Sequence, residues 1–142
     1  YLYRAVDKQG NTIDFLLTKY RDRKAAKRFF QKSVKHNGIP LKVNIDGSKA
    51  NAAGLREFNK DNMTGVDVRS CKYLNNIVES DHRFIKKITR PMLGFKSFRS
   101  AAKTIAGIET VNMIRKGQSL TQDNCVRNPF DIFRQLLLPK SA

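Results

Sequence analysis

Hydrophobic residues along the chain follow first a strand pattern and then a helix pattern. Two runs rich in aromatic and β-prone residues, 1–6 and 11–18, flank a turn that contains Gly10, and this predicts a β-hairpin. Neither run alternates cleanly between apolar and polar positions, which favours strands covered on both faces. From Asp22 apolar residues recur at three- and four-residue spacing, so we predict an amphipathic helix that ends at the Asn-Gly pair 37–38.

The remainder of the chain alternates between strands and helices. The predicted elements are a strand 41–45, a helix at about 51–59, a strand 66–73, a basic helix at about 77–90 and an apolar-striped helix at about 97–116. This is an α/β order. A hairpin that feeds a mixed sheet flanked by helices is how an RNase H-like domain is built, and we predict that fold class.

The composition adds a strong positive charge to this pattern. The 142 residues are 40% hydrophobic, which fits one domain with one core, and 28 Lys+Arg against 12 Asp+Glu give a net charge of +16. Such an excess favours a polyanionic partner, with nucleic acid ahead of an anionic membrane surface. No run of about 18 apolar residues is present, and no helix combines a large apolar face with flanking Trp, so we expect no membrane role.

Two carboxylates occupy positions that suit metal-dependent chemistry. Asp46 follows an apolar strand and precedes a glycine, which places it at the strand's carboxyl end, where open α/β sheets bind ligands. A turn or a helix cap is the alternative interpretation of Asp46. Glu79 heads the basic helix and shares a broad helical face with His82, Arg83, Lys86, Lys87 and Arg90.

A carboxylate at the head of a cationic face can hold a divalent cation while the cations behind it bind DNA phosphates. The alternative is a solvated helix in which Glu79 pairs with Arg83 or Lys86. His82 has no second histidine nearby, so we expect it to contact a phosphate or to pack. Asp81 points away from Glu79 and is interpreted as a first-turn charge favoured by the helix dipole.

Other acids, the two cysteines and the absence of several motifs have little effect on the predicted function. Asp7 is interpreted as a hairpin-turn residue, and Glu109 as structural or DNA-facing. Cys71 and Cys125 have no zinc spacing, so we expect free thiols in a reducing cytosol. Phosphate-loop, dinucleotide-binding and serine-hydrolase motifs are absent from the sequence.

Seven stretches together carry a family likeness: Tyr-Leu-Tyr-Arg-Ala-Val-Asp at 1–7 with Thr-Ile-Asp-Phe at 12–15, Lys-Ala-Ala-Lys-Arg-Phe-Phe at 24–30, Ile-Asp at 45–46, Tyr-Leu-Asn-Asn-Ile-Val-Glu-Ser-Asp-His at 73–82, and Phe-Lys-Ser-Phe at 95–98 with Ile-Ala-Gly-Ile-Glu at 105–109. They resemble the small DDE transposases of bacterial insertion sequences, in the group that moves by replicative cointegrate formation. We therefore predict a partial RNase H-like DDE catalytic domain over 1–118 and a C-terminal tail, partly helical, over 119–142.

The resemblance implies that three acidic residues hold two Mg²⁺ or Mn²⁺ ions, which activate water and then a DNA 3′-hydroxyl for attack on a phosphodiester. By this likeness Asp46 is the second acid and Glu79 the third, and the 32 residues between them are close to the usual mid-thirties spacing. Lys86 falls where the family carries a basic DNA contact. The residues assigned to DNA binding are Asn75, Asn76, His82, Arg83, Lys86, Lys87 and Arg90.

In the family the first acid lies in a strand before the Tyr-Leu-Tyr-Arg segment, and a helix-turn-helix also precedes it. This sequence starts at Tyr1, within that segment, so we expect a fragment that lacks the first strand and is incomplete or inactive. The intact enzyme is expected to be a homo-oligomer that acts on transposon ends and target DNA in the bacterial cytoplasm, associated with the nucleoid. The alternatives are a non-catalytic basic nucleic-acid-binding module and a decayed pseudogene product.

Overall fold

The computed structural model describes residues 1–71 and 76–118. Its elements, in chain order, are β1 (Leu2–Val6), β2 (Thr12–Leu17), α1 (Arg23–Asn37), β3 (Lys42–Ile45), α2 (Lys49–Asn62), β4 (Asp67–Ser70), α3 (Asn76–Thr89), a 3₁₀ turn (Arg90–Met92) and α4 (Phe98–Arg115). The predicted α/β order is confirmed. The chain divides into two compact units, one from Tyr1 to Gly94 and a second that begins at Phe95.

The amino-terminal hairpin forms as predicted. β1 and β2 pair antiparallel, with Leu2 opposite Leu17 and an irregularity after Ala5. In the turn, the Asp7 carboxylate accepts hydrogen bonds from the backbone N–H groups of Gln9 (2.9 Å) and Asn11 (2.8 Å). Desolvation opposes ionisation of Asp7, but these bonds and one from the Asn11 side chain outweigh it and lower the Asp7 pKa. Asp7 is therefore a turn residue, as predicted.

Helix α1 begins and ends where the sequence signals lie. The Asp22 carboxylate accepts a hydrogen bond from the backbone N–H of Ala25 at 2.7 Å, and Gly38 ends the helix with a φ of +81°. Its buried side includes Ala26 and Phe29, and the Phe29 ring lies 5.6 Å from that of Tyr3 in β1. This packing joins the hairpin to α1.

Helices α1 and α2 approach closely because a glycine faces α1. A Cβ at Gly54 would lie 2.7 Å from the Ala26 Cβ and 2.9 Å from the Lys27 backbone nitrogen. Ion pairs flank this contact, since Glu57 of α2 pairs with Arg23 at 3.1 Å and with Lys27 at 2.8 Å. The small residue and the charges together explain why this helix pair carries much of the core of the first unit.

The strands do not form one sheet within the described residues. β3 and β4 pair in parallel, from Lys42 opposite Asp67 to Ile45 opposite Ser70, and this ladder is separate from the β1–β2 hairpin. The prediction of a mixed α/β architecture holds, but in place of the predicted single mixed sheet the described chain contains two small ladders. A strand ladder needs an adjacent partner strand, and none of the described strands joins the two.

Strand β1 is covered on both faces, as its lack of clean alternation predicts. Successive side chains of a strand point to opposite faces. Tyr3 packs on Phe29, whereas Arg4 pairs with Asp81 of α3 at 2.6 Å, with side chains 0% and 9% exposed. The interpretation of Asp81 as a first-turn charge is wrong, because the first turn of α3 contains Glu79 and not Asp81. Asp81 instead pairs with a strand residue, which a helical wheel cannot show.

In the second unit, α4 starts at Ser97, whose hydroxyl accepts a hydrogen bond from the Ser100 backbone N–H at 3.0 Å. Glu109 is fully buried, which favours its structural interpretation. No helix in ranges 1–71 and 76–118 is long and apolar enough to cross a membrane. The predicted tail at 119–142, which includes Cys125, lies outside the described residues.

Candidate metal and DNA site

Strand β3 ends in a buried Ile45 and presents Asp46 at its carboxyl end. One carboxylate oxygen of Asp46 accepts hydrogen bonds from the Asn51 amide at 2.8 Å and from the Ser48 backbone N–H at 3.3 Å. The second oxygen accepts one from the Arg21 guanidinium at 2.8 Å. Ser48 holds the N-cap position of α2, so Asp46 makes the turn contact that the sequence suggests but does not cap the helix.

The Asp46 carboxylate is both oriented and accessible. Its side chain and that of Arg21 are each 46% exposed. Asn51 fixes one oxygen, and the other already carries a positive partner at hydrogen-bond distance. An oriented, half-exposed carboxylate has the chemistry that a divalent metal ion requires of a ligand.

Tyr3 and Arg21 belong to the surroundings of Asp46. Burial raises the pKa of the Tyr3 hydroxyl, Arg21 opposes the shift, and the negative charges of Asp22 and Asp46 add to it. The Tyr3 hydroxyl donates a hydrogen bond to the Asp22 carbonyl oxygen at 3.4 Å. Neither Tyr3 nor Arg21 was predicted as a site residue, because a contact 25 positions apart, such as that between Arg21 and Asp46, leaves no local pattern.

Glu79 lies in the first turn of α3 with an exposed side chain. Within the described parts of the chain it forms no hydrogen bond or ion pair, so the alternative of pairing with Arg83 or Lys86 is not observed. No contact of this kind joins Glu79 to Asp46 either. The carboxylate of Glu79 is thus exposed at the head of a helix whose Arg83, Lys86 and Lys87 are also exposed.

The residues expected to bind DNA differ in their surroundings. Arg90 is exposed, as is Asn76, the first residue of α3, whereas Asn75 lies outside the described residues. His82 is half-buried, and burial lowers its pKa, as do the charges of Arg4 and Lys86, while Asp81 opposes the shift. A neutral, half-buried imidazole suits packing better than a charged contact with phosphate.

The described residues contain no group of three His, Cys, Asp or Glu side chains placed to hold one metal ion. Of the two acids selected from the sequence, Asp46 has a structured set of partners and Glu79 has an open carboxylate. The donor chemistry of both is carboxylate oxygen, which Mg²⁺ and Mn²⁺ prefer.

Residues 1–118 are similar in sequence to known proteins. The family model described as a DDE domain matches residues 1–118. The transposase for insertion sequence-like element IS431mec of Staphylococcus aureus strain Mu50 is 36% identical over 118 residues, which are 82% of this chain and 51% of that protein. The transposase for insertion sequence element IS257 in transposon Tn4003 of Staphylococcus aureus gives the same values.

A shorter match is the uncharacterized protein pYV0051 of Yersinia pseudotuberculosis, which is 31% identical over 75 residues, or 51% of this chain and 67% of that protein. No solved structure matches the chain significantly. The chain spans about half the length of the curated transposases it matches, 51% in each case.

Proposed function

Because the chain belongs to the family of DDE transposases of insertion sequences, we propose that it forms catalytic-domain machinery for DNA transposition. In this proposal Asp46 and Glu79 are ligands of a divalent cation, Mg²⁺ or Mn²⁺, and the exposed basic side chains of α3 bind DNA. Cleavage of transposon ends and their transfer into target DNA, by a homo-oligomer, is proposed for the whole protein.

The observation that carries this proposal is the state of Asp46. Its carboxylate stands at a strand's carboxyl end, is oriented by Asn51, is half exposed, and accepts a hydrogen bond from the Arg21 guanidinium on its second oxygen. A carboxylate whose role was confined to the turn would need only the Ser48 contact. The family match over residues 1–118 includes both acids and supports their assignment.

The side chains have separate roles in the proposed reaction. When bound, a divalent cation supplies the Lewis acidity that activates water or a 3′-hydroxyl for attack on a phosphodiester. Asn51 and the Ser48 N–H orient Asp46, which reduces the cost of ordering this ligand. Lys86 and Lys87 neutralise phosphates of the DNA strand and hold it beside Glu79.

Titration with Mn²⁺, followed by electron paramagnetic resonance of the free ion, tests the metal assignment. The variants are Asp46→Asn and Glu79→Gln, each of which keeps shape and removes charge. Asp61→Asn is a matched control, because its side chain is 47% exposed, against 46% for Asp46, and it pairs with Lys27. We expect the Mn²⁺ dissociation constant to rise about tenfold or more in the first two variants, equivalent to about 1.4 kcal/mol, and to stay unchanged in the control.

If all three variants bind Mn²⁺ like the unmodified chain, the metal assignment is wrong. A non-catalytic basic nucleic-acid-binding module then becomes the better interpretation. The net charge of +16 favours that second function, because a polyanion would offset it without any metal. DNA binding that persists without divalent ions, together with no ion site sensitive to Asp46 or Glu79, would establish it.

A further inference from the structure

The cations of α1 fall into two groups with different surroundings. Arg23 and Lys27 face α2 and pair with Glu57, so their charges are offset within the fold. Lys24 and Arg28, one helical turn apart, are exposed, and neither forms an ion pair within the described residues. The structure therefore leaves a separate pair of positive charges on the face of α1 that turns away from α2.

Lys24 and Arg28 line a groove of about 290 Å³ at the junction of β2 and α1, which we call the β2–α1 groove. Its lining is Thr18, Lys19, Tyr20, Asp22, Lys24, Ala25 and Arg28. Tyr20 is 63% exposed, and the Lys19 ammonium lies over its ring at 5.6 Å from the centre. The groove thus combines three cations with an exposed aromatic residue.

The single acid in this lining does not cancel the three cations in the way that Glu57 offsets Arg23 and Lys27. The Asp22 carboxylate accepts the hydrogen bond of the Ala25 N–H at 2.7 Å, so it serves the amino terminus of α1. Three cations against one capping carboxylate leave a net positive groove. A negatively charged ligand is the chemistry that fits it.

The groove borders the surroundings of Asp46. Arg21, between Tyr20 and Asp22 in the chain, bonds the Asp46 carboxylate, and the Tyr3 hydroxyl bonds the Asp22 carbonyl oxygen. The segment that forms the groove wall therefore also contacts the proposed metal ligand. A ligand seated in the groove would enter beside the site where we place the reaction.

We propose that the β2–α1 groove binds one strand of DNA, with its phosphates on Lys24 and Arg28 and a base stacked on Tyr20. The inference rests on the proposed DNA function and adds to it a strand-binding subsite on α1, distinct from the basic side chains of α3. A duplex hides the faces of its bases, so an exposed aromatic ring favours an unpaired strand. Cations on a groove wall supply the sequence-independent phosphate contacts that such a strand needs.

The experiment uses the full chain and a short fluorescein-labelled DNA oligonucleotide, single-stranded or paired with its complement, with anisotropy measured over a range of salt concentrations. In Lys24→Gln/Arg28→Gln the slope of log K against log salt for the single strand should become less negative by about 1.4, or about 0.7 for each lost phosphate contact. Tyr20→Leu should weaken single-strand binding about fivefold or more and leave duplex binding unchanged. Far-ultraviolet circular dichroism verifies the fold of each variant.

The matched control is Lys8→Gln/Lys60→Gln, which removes two exposed cations that lie in the hairpin turn and at the end of α2. The groove is refuted as a DNA site if this control shifts the slope as much as the groove variant. Equal losses for duplex and single strand in Tyr20→Leu, or tighter binding of the matching RNA strand, would also overturn the proposal. Mn²⁺ titration of the groove variants separates the two proposals. Loss of the DNA effect with unchanged Mn²⁺ binding would overturn only the groove, whereas a Mn²⁺ affinity insensitive to Asp46 with an intact DNA effect would overturn only the metal site.

Discussion

The buried Arg4–Asp81 ion pair leads to a specific prediction about stability. The guanidinium of Arg4 is fully buried and lies 2.6 Å from the Asp81 carboxylate, which is 9% exposed. Asp81→Asn keeps the shape of the side chain but removes its negative charge from this buried guanidinium. Removing one partner of a buried pair costs about 3–5 kcal/mol, because the charge of that partner no longer offsets the desolvation of the charge that remains.

That cost is large relative to the whole fold. Domains of this size are stable by about 5–15 kcal/mol, so a loss of about 3–5 kcal/mol in Asp81→Asn should remove roughly a fifth or more of the free energy of unfolding. The pair joins α3 to β1, and Asp81 lies two residues after Glu79. We therefore expect the loss to weaken the docking of the helix that presents the proposed metal ligand.

Urea denaturation followed by far-ultraviolet circular dichroism measures the effect. With a denaturant dependence of about 1–3 kcal/mol per molar urea, the midpoint should fall by at least about 1 M. The control is Asp67→Asn, since Asp67 is 54% exposed and pairs with Lys42 at 3.5 Å, and a surface change of this kind should stay within about 0.5 kcal/mol.

A second variant keeps the test decisive if Asp81→Asn does not fold. Replacing both partners, as in Arg4→Met/Asp81→Leu, removes the buried charges together and should recover most of the stability. An Asp81→Asn chain as stable as the Asp67→Asn control would refute the reasoning. So would a double variant less stable than Asp81→Asn.

Two further predictions concern packing and pH. Gly54→Ala should destabilise the fold by about 1–3 kcal/mol, because its Cβ would lie 2.7 Å from that of Ala26. The control Gly107→Ala, whose Cβ would have nothing within 4 Å, should be neutral or stabilising. Thermal melts measure both variants, and equal melting temperatures would contradict the prediction. His82 has a pKa below its ordinary 6.5 in the fold, so the unfolded chain binds its proton more readily. Stability should therefore fall as pH drops below about 6.5, and a profile in which His82→Gln retains the same slope would refute this.

Local elements were predictable because their signals lie within a few residues. The Asp22 cap and the Gly38 stop fixed α1, and the Asp7 turn fixed the hairpin. Helix α2 is longer than predicted at both ends, running from Lys49 to Asn62. Its stop is Met63 at a φ of +49°, and a methionine in the left-handed region carries no sequence signal of the kind a glycine gives.

Long-range contacts were not predictable for a physical reason. A helical wheel gives the direction of Asp81 but cannot tell which strand lies beneath it, so its pairing with Arg4, far along the chain, was missed. The same holds for Arg21 and Asp46. Strand positions follow from local preference, but the pairing of strands into ladders depends on the chain as a whole, and the predicted single sheet is therefore the weakest part of the fold prediction.

The structure divides the cations of the chain into those that pair with acids and those that are exposed without an ion pair in the described residues. The sequence shows an excess of +16 but does not say which cations serve the fold. Arg4 and Lys27 are paired with acids across elements, so their charges contribute to packing. Lys24 and Arg28 on α1, like Lys86 on α3, are exposed and form no ion pair within the described chain. Because self-repulsion of such charges opposes folding, exposed cations on two helices favour a polyanionic partner that offsets them. DNA is the partner that the proposed function gives for both surfaces.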